Sequence, residues 1–511
     1  MTEESPSELD DDEREALVTL AHGAVVTAGG VSTQRALSTA AEFVLARGLG
    51  PVSYGIYALA WRITQVLMRM VTFGSVPALQ RFLPESGDDD TRQSALVALG
   101  YATTVGFGLV LCLVVWVAAP TINDITVESA TFLPAMRLFG GLIGLLGVLM
   151  VAAGVFRATG SARGEVVINK LLRPGVRLVG GGIALLCGYS VVGVAGAILV
   201  CALLFVVVAL PLSVRATGIV PRARGVRSEI RGFYNHAGPV ALSSLGKVFQ
   251  NRLDLLLVGG LLTAVAAGVY NVVLVLVSVA WIPLLSFNQL LPPIASNLYA
   301  ADEMQTLNAV YTAATRLIVI TVLPVIAVLG VYGEALLAVF GSTYTQGYLP
   351  LVVYLAGVFV GSAVGATGWL LMMTDHQYAR MALDWLLAVL NLVLTYTFVV
   401  TFGLAGAALG TSLAIAVQNG IQVLLLRRFE GLWPYDRTFL KPLAAGVVMV
   451  AVMLVVRVFL HGLGALGLGT VLGLGGYLLT FRLLGLDERD RLIVGELSQR
   501  YRGRLDGVFG R

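Results

Sequence analysis

Charge is scarce in this chain of 511 residues: only 13% of positions are Asp, Glu, Lys or Arg. That is roughly half the 25% of an ordinary soluble domain. Lysine is nearly absent, with Lys170, Lys247 and Lys441 the only examples among 34 basic residues. The four histidines, His22, His236, His376 and His461, are scattered and form no metal motif. The three cysteines, Cys112, Cys187 and Cys201, sit in or beside apolar runs without metal-ligand spacing, so they read as packing residues. No GxxxxGK[ST] loop occurs, which excludes an ATPase engine within the chain. Neither metal nor cofactor is expected. The opening residues, MTEESPSELDDDEREAL, are acidic and lack the positive start of a secretory leader, so residues 1–17 read as an acidic tail. A net charge of +4, with the arginines in short loops, gives no basic patch for nucleic acid.

Apolar residues dominate instead, at 57%, with mean hydropathy +0.85. Many of the apolar runs are long enough to cross a hydrocarbon core of about 30 Å. Counting runs between polar breaks predicts an all-α polytopic membrane protein of about 14 spans. The 59 glycines suit it, because small residues let membrane helices approach closely. Alternate loops collect arginine: Arg92, then Arg157 and Arg163, then five between Arg215 and Arg231, then Arg427 and Arg428. The intervening loops hold only Arg47. Cytoplasmic loops carry the Lys and Arg excess. A multi-pass protein of the cytoplasmic membrane, with both termini cytoplasmic, is therefore expected.

The sequence also repeats. VSYGIYALAWRI aligns with VAAGVYNVVLVL, placing Gly55 on Gly268 and Tyr57 on Tyr270. Phe73 falls on Phe287, and GVAGAIL at Gly193 falls on GLAGAAL at Gly403, at nearly the same offset. Two six-span halves follow. An even number of spans per half makes the halves parallel, the layout of transporters that carry their site between repeats. The expected divisions are a first half at 18–214, a basic cytoplasmic linker at 215–235, a second half at 236–428, two further spans at 440–484 and a cytoplasmic tail at 485–511.

ARGLGPVSYGIYALA and NRLDLLLVGGLLTAVAAGVYNVV resemble the signatures that open the two halves of polysaccharide-biosynthesis flippases, the Wzx type, in the multidrug/oligosaccharidyl-lipid/polysaccharide exporter superfamily. The resemblance covers roughly residues 21–428. It implies a transporter that moves a lipid-linked oligosaccharide, on a polyprenyl or dolichyl phosphate carrier, for surface polysaccharide or glycoprotein assembly. An alternative within the superfamily is a multidrug or organic-cation exporter. A membrane-embedded glycan-processing enzyme is a third possibility, disfavoured because the outer loops are short. The scarcity of lysine and the acidic segments fit a GC-rich, halophilic source.

Charges within spans are costly, at about 2.5–3.5 kcal/mol each on insertion scales, and mark pathways or partners. Arg35, Arg62 and Arg69 stand deepest in the first half, and Lys247 and Arg252 in the second. Guanidinium groups bind phosphate in a two-pronged fashion. These five are the candidate substrate-binding residues, with Arg62 and Arg69 expected on one helical face, seven residues apart. Glu42, Asp254 and Asp384 are the candidates for coupling to H+ or Na+, with pairing to a nearby arginine as the competing reading for each. Lys170 and Arg173 have even claims as interfacial or cavity residues. Arg137, Arg316 and Arg457 read as interfacial.

Overall fold

The computed structural model describes residues 11–87, 89–126, 128–249, 253–460 and 462–485. They are almost entirely helical, without strands. Nine segments among them are long and apolar enough to cross a membrane. Two of these are each a pair of spans. In Asp11–Leu67 the backbone leaves helical geometry at Gly50, at φ 74°, a left-handed value that glycine adopts without a Cβ clash. On an unbroken helix Glu42 and Tyr54 would lie about 18 Å apart. Their side chains instead meet at 2.7 Å, so the chain doubles back. Gln377–Glu430 does the same at Gly403, where a Cβ on Gly406 would strike the carbonyl of Phe398.

Spans 1 and 2 are thus residues 27–49 and 51–67, and spans 11 and 12 are 377–402 and 404–430. Spans 3 and 4 are Asp90–Asp124 and Phe132–Ala158. Span 5 runs from Ala162 to Leu186 through a π-helical turn at Val167–Leu172, and span 6 is Val191–Thr217. Span 7 comprises Val226–Phe249 and Leu253–Leu261, and span 8 is Ala264–Ala280. Span 9 is Met304–Phe340, and span 10 comprises Tyr348–Ala363 and Thr367–Met373. Spans 13 and 14 are Leu440–Phe459 and Gly462–Leu483. The fourteen expected passages are present.

The repeat is visible in the packing. After span 2 the chain turns at Phe73 and Gly74 into the short helix Ser75–Glu85; after span 8 the helices Ile282–Phe287 and Leu291–Ala300 follow. Spans 2 and 8 cross where the repeated glycines meet. A Cβ on Gly55 would strike the carbonyl of Ala264, and one on Gly268 would lie 2.9 Å from the carbonyl of Pro51. The outward faces are apolar: Leu113, Val117 and Val458 are 66%, 72% and 72% exposed, a surface suited to hydrocarbon rather than water. Spans 13 and 14 pack on span 9, with hydroxyl bonds from Tyr332 to the Met453 carbonyl (3.0 Å) and from Tyr477 to the Ile320 carbonyl (3.1 Å).

The charged residues expected at an interface have partners within the protein. Arg316 is 2% exposed, twelve residues into span 9, and meets the Asp436 carboxylate (3.7 Å) and the Thr438 hydroxyl of the connection before span 13. Arg137 stacks over Trp116 at 4.7 Å. Arg457 donates to the Val331 carbonyl (2.7 Å) and pairs with Glu334 (3.0 Å).

Candidate functional site

At the Gly50 end of the bundle the two halves are closed on each other. Tyr344 donates to the Ala46 carbonyl at 3.1 Å, and Arg47 to the Val339 carbonyl at 2.8 Å. Phe43 meets Phe340 edge-on at 5.5 Å between ring centres.

Toward the opposite end, which carries the 218–225 connection, the halves separate around a cavity of about 280 Å³. Arg35, Ser38, Thr39 and Glu42 of span 1 line it, with Arg62, Gln65 and Arg69 beyond. The second half contributes Asn271, Val275 and Ser278 from one face of span 8. A second cavity of about 350 Å³ adjoins it within the first half. The two share Ser38, Arg62, Gln65, Arg69 and Arg177 as common wall. Arg35, Arg62 and Arg69 therefore converge on one hydrated space, where the Arg62 guanidinium also donates to Gln65 at 2.8 Å.

Arg62 and Arg69 share this wall, as expected of residues two helical turns apart. Span 2 ends at Leu67, and Arg69 lies in the turns that follow. The amides of Arg69 and Met70 bond three residues back rather than four (Val66, 3.3 Å; Leu67, 3.0 Å), a tightened last turn.

A buried ionic cluster forms the floor. Glu42 and Arg177 are 6% and 5% exposed and form an ion pair. Tyr54 donates to Glu42 at 2.7 Å, and Asn271 donates to the Tyr54 oxygen at 2.7 Å, so the second half reaches into the first half's cluster. Arg177 donates from Nε to Tyr57 at 2.7 Å and lies 4.4 Å over the ring of Trp61. Glu42 is thus partnered by Arg177 of span 5. The second half holds a matching arrangement: Asp254, fully buried, accepts from Tyr270 (2.9 Å) and from the Leu255 amide (2.8 Å). Tyr57 and Tyr270 are the repeat-related pair, each bonded to the ionic group of its own half.

Asp384 is elsewhere. It pairs with Arg380 at 3.0 Å, accepts from Gln418 at 3.1 Å, and lines neither cavity. Lys247 lies on span 7, but its side chain is outside the described residues, as is the whole of Arg252. Sequence reasoning passed over Trp61, Gln65, Asn271 and Ser278. Gln65 stands three residues from Arg62, and Asn271 directly follows the repeated Tyr270, where the first half has Ala58.

The family described as "Polysaccharide biosynthesis protein" matches residues 44–350. The probable low-salt glycan biosynthesis flippase Agl15 of Haloferax volcanii is 24% identical over 200 residues, which is 39% of this chain and 42% of that protein. The match therefore spans less than half of the curated relative. In fold, the chain resembles the inward closed conformation of the lipid II flippase MurJ, with a TM-score of 0.73 at 13% identity over 90% of this chain and 98% of that one. It also resembles the inward-facing conformation of a multidrug resistance MATE family transporter of the MOP superfamily, with a TM-score of 0.68 at 15% identity over 80% of this chain and 98% of that one. The family match, from residue 44 to residue 350, takes in more than half of the chain, and the chain belongs to the polysaccharide biosynthesis protein family.

Proposed function

We propose that the chain is a flippase that carries a lipid-linked oligosaccharide across the cytoplasmic membrane by alternating access. The observation that carries this reading is the cavity between the halves, where Arg35, Arg62 and Arg69 meet. Three guanidinium groups on one cavity wall present the paired N–H geometry that suits the phosphate of a polyprenyl or dolichyl carrier. The headgroup occupies the cavity while the apolar tail stays in the bilayer. Both similar solved structures are described as inward, and the cavity lies at the end bearing the arginine-rich loops, which supports a cytoplasm-facing cavity with both termini on that side. Lys247 and Arg252 complete the proposed substrate contacts from the second half.

Glu42 and Asp254 are the proposed coupling groups for H+ or Na+. Each is a buried acid on the first span of its half, hydrogen-bonded to a tyrosine on or near the second. When the carrier phosphate competes for Arg177, Glu42 loses its countercharge and becomes a site for a cation. Asp384 is a weaker candidate because it lines neither of the two arginine-lined cavities. Transport without covalent chemistry is the reading, so no catalytic residue is assigned. The multidrug-exporter alternative shares the fold, but an organic cation would meet a wall richer in guanidinium than in carboxylate.

Deletion of the gene tests the proposal. Mass spectrometry should find surface glycans depleted and lipid-linked sugars accumulated. Unchanged surface glycans, with heightened sensitivity to cationic drugs, would favour the exporter instead.

A further inference from the structure

Span 5 contains one turn of π-helix, Val167–Leu172, between its two α-helical parts. Such turns concentrate at functional sites, because the extra residue re-aims the side chains on one face. Here the turn directs Asn169 and Lys170 into a third cavity of about 280 Å³, lined also by Arg173, Arg157, Glu165 and Gln34. Two of its basic groups are satisfied differently from the third. Arg157 pairs with Glu165 at 2.6 Å. Lys170 donates to the neutral amide oxygen of Gln34 (3.0 Å), and Arg173 to that of Asn169 (3.2 Å). The Nε of Arg173 is buried with no hydrogen-bond partner. Among the described residues neither Lys170 nor Arg173 forms an ion pair. The one carboxylate on this wall, Glu165, lies within electrostatic reach of Lys170 but is bonded to Arg157 and to Asn169 (2.9 Å), so two cations that hydrogen-bond only to neutral amides share one acid with Arg157 and leave a place for an anion.

This third cavity is distinct from the one that holds Arg35. Gln34 and Arg35 are adjacent, so they point about 100° apart around span 1. Gln34 lines the third cavity and Arg35 does not. The 350 Å³ cavity joins them, sharing Gln34, Met150, Asn169 and Arg173 with one and Arg62 and Arg69 with the other. Lys170 and Arg35 line no cavity in common, and the 350 Å³ cavity connects their two sites.

We propose that Lys170 and Arg173, oriented by Asn169, form a second anion subsite that takes the acid group of an acidic sugar in the transported glycan, a carboxylate or sulfate some way along the chain from the carrier phosphate. This rests on the flippase reading and specifies the class of its cargo. Gln34 releases Lys170 as the acid enters, and the unpartnered Nε of Arg173 gains an acceptor. The intervening cavity, walled by Trp61, Gln65 and Asn169, holds the sugars between the two anions.

The test uses the full chain in lipid nanodiscs with defined cargos. These are a polyprenyl-phosphate disaccharide ending in a uronic acid, its neutral hexose counterpart, and the neutral counterpart on a diphosphate. Hydrogen bonds to charged groups are worth enough for the wild type to bind the uronate cargo about tenfold or more tighter than the neutral one. Lys170→Gln with Arg173→Gln should abolish that preference, so that the uronate and neutral cargos bind alike. Lys170→Arg should retain it, which separates the charge from a folding defect. Equal affinity of the wild type for uronate and neutral cargos, both still bound, overturns the second subsite and leaves the flippase reading standing. A loss of diphosphate preference in place of uronate preference overturns the acidic-sugar assignment. So does an altered response to anionic lipid in the nanodisc. If no cargo binds at all, the flippase reading itself fails.

Discussion

Replacing Glu42 by alanine should destabilise the protein far more than its single position suggests. The substitution strands Arg177, which is 5% exposed, with Tyr57 as its remaining hydrogen-bond partner. It also removes the acceptor of the Tyr54 hydroxyl, itself fully buried. Breaking a buried ion pair from one side costs about 3–5 kcal/mol, because the surviving charge keeps its desolvation without its partner. Unfolding entropy near 2.1 cal/mol/K per residue gives about 1 kcal/mol/K for a chain of this length, so the midpoint should fall by about 3–5 °C. Glu42→Gln should fall less, since the amide oxygen still accepts from Tyr54. Glu42→Ala combined with Arg177→Met should recover part of the loss, because both charges then leave the interior together. Thermal unfolding in detergent, followed by tryptophan fluorescence, reads all three. A shift below 1 °C for Glu42→Ala, or a double variant whose loss equals the sum of the single losses, would refute the account of the cavity floor.

Three further outcomes follow from the packing. Gly55→Val should cost about 1–3 kcal/mol as an overpacked contact against the Ala264 carbonyl, and should reduce cross-linking of cysteines placed across spans 2 and 8. Asp384→Asn should change stability by no more than about 1 kcal/mol, as for a partly exposed pair, and should leave the pH and sodium dependence of transport unaltered, whereas Asp254→Asn or Glu42→Gln should alter it. A chain ending after Lys441 keeps Asp436 and Thr438, the partners of Arg316, but loses Met453 and Tyr477, which bond Tyr332 and Ile320 of span 9; it should keep the twelve-span core, measured by gel filtration and helical content, and move cargo more slowly.

Much of this architecture was legible in the sequence because lipid imposes a simple code. Long apolar runs and arginine-rich loops marked fourteen passages, and the repeated Gly55 and Gly268 marked the crossing point of the halves. The reversals at Gly50 and Gly403 take only one or two residues, so the boundary between the spans on either side leaves little mark. Arg35, Arg62 and Arg69 were found by their cost in hydrocarbon, a signal that holds whatever the local geometry. The identity of Glu42's partner was not legible: Arg177 lies on a span brought near only by tertiary packing, and Arg35, seven residues away on the same helix, was the tempting choice. The partners of Arg316 were hidden for a related reason: Asp436 and Thr438 come from the segment before span 13, which lies outside the repeat. The π-turn of span 5 left no mark in the sequence, since a π-turn differs from an α-turn by one residue and no particular residue type is required.

The most direct measurement is flipping itself. Full-length protein is reconstituted into sealed vesicles with a fluorescent polyprenyl-phosphate oligosaccharide, and cargo reaching the opposite leaflet is read by a reagent or lectin that cannot cross the bilayer. The expected result is rapid loss of leaflet asymmetry with wild type, a marked slowing with Arg62→Lys or Arg69→Lys, which keep the charge and lose the paired N–H geometry, and near-background rates with Arg62→Ala combined with Arg69→Ala in protein that retains its thermal midpoint. Wild-type rates in the double alanine variant, with the fold intact, would contradict the claim that the arginine-lined cavity binds the carrier phosphate.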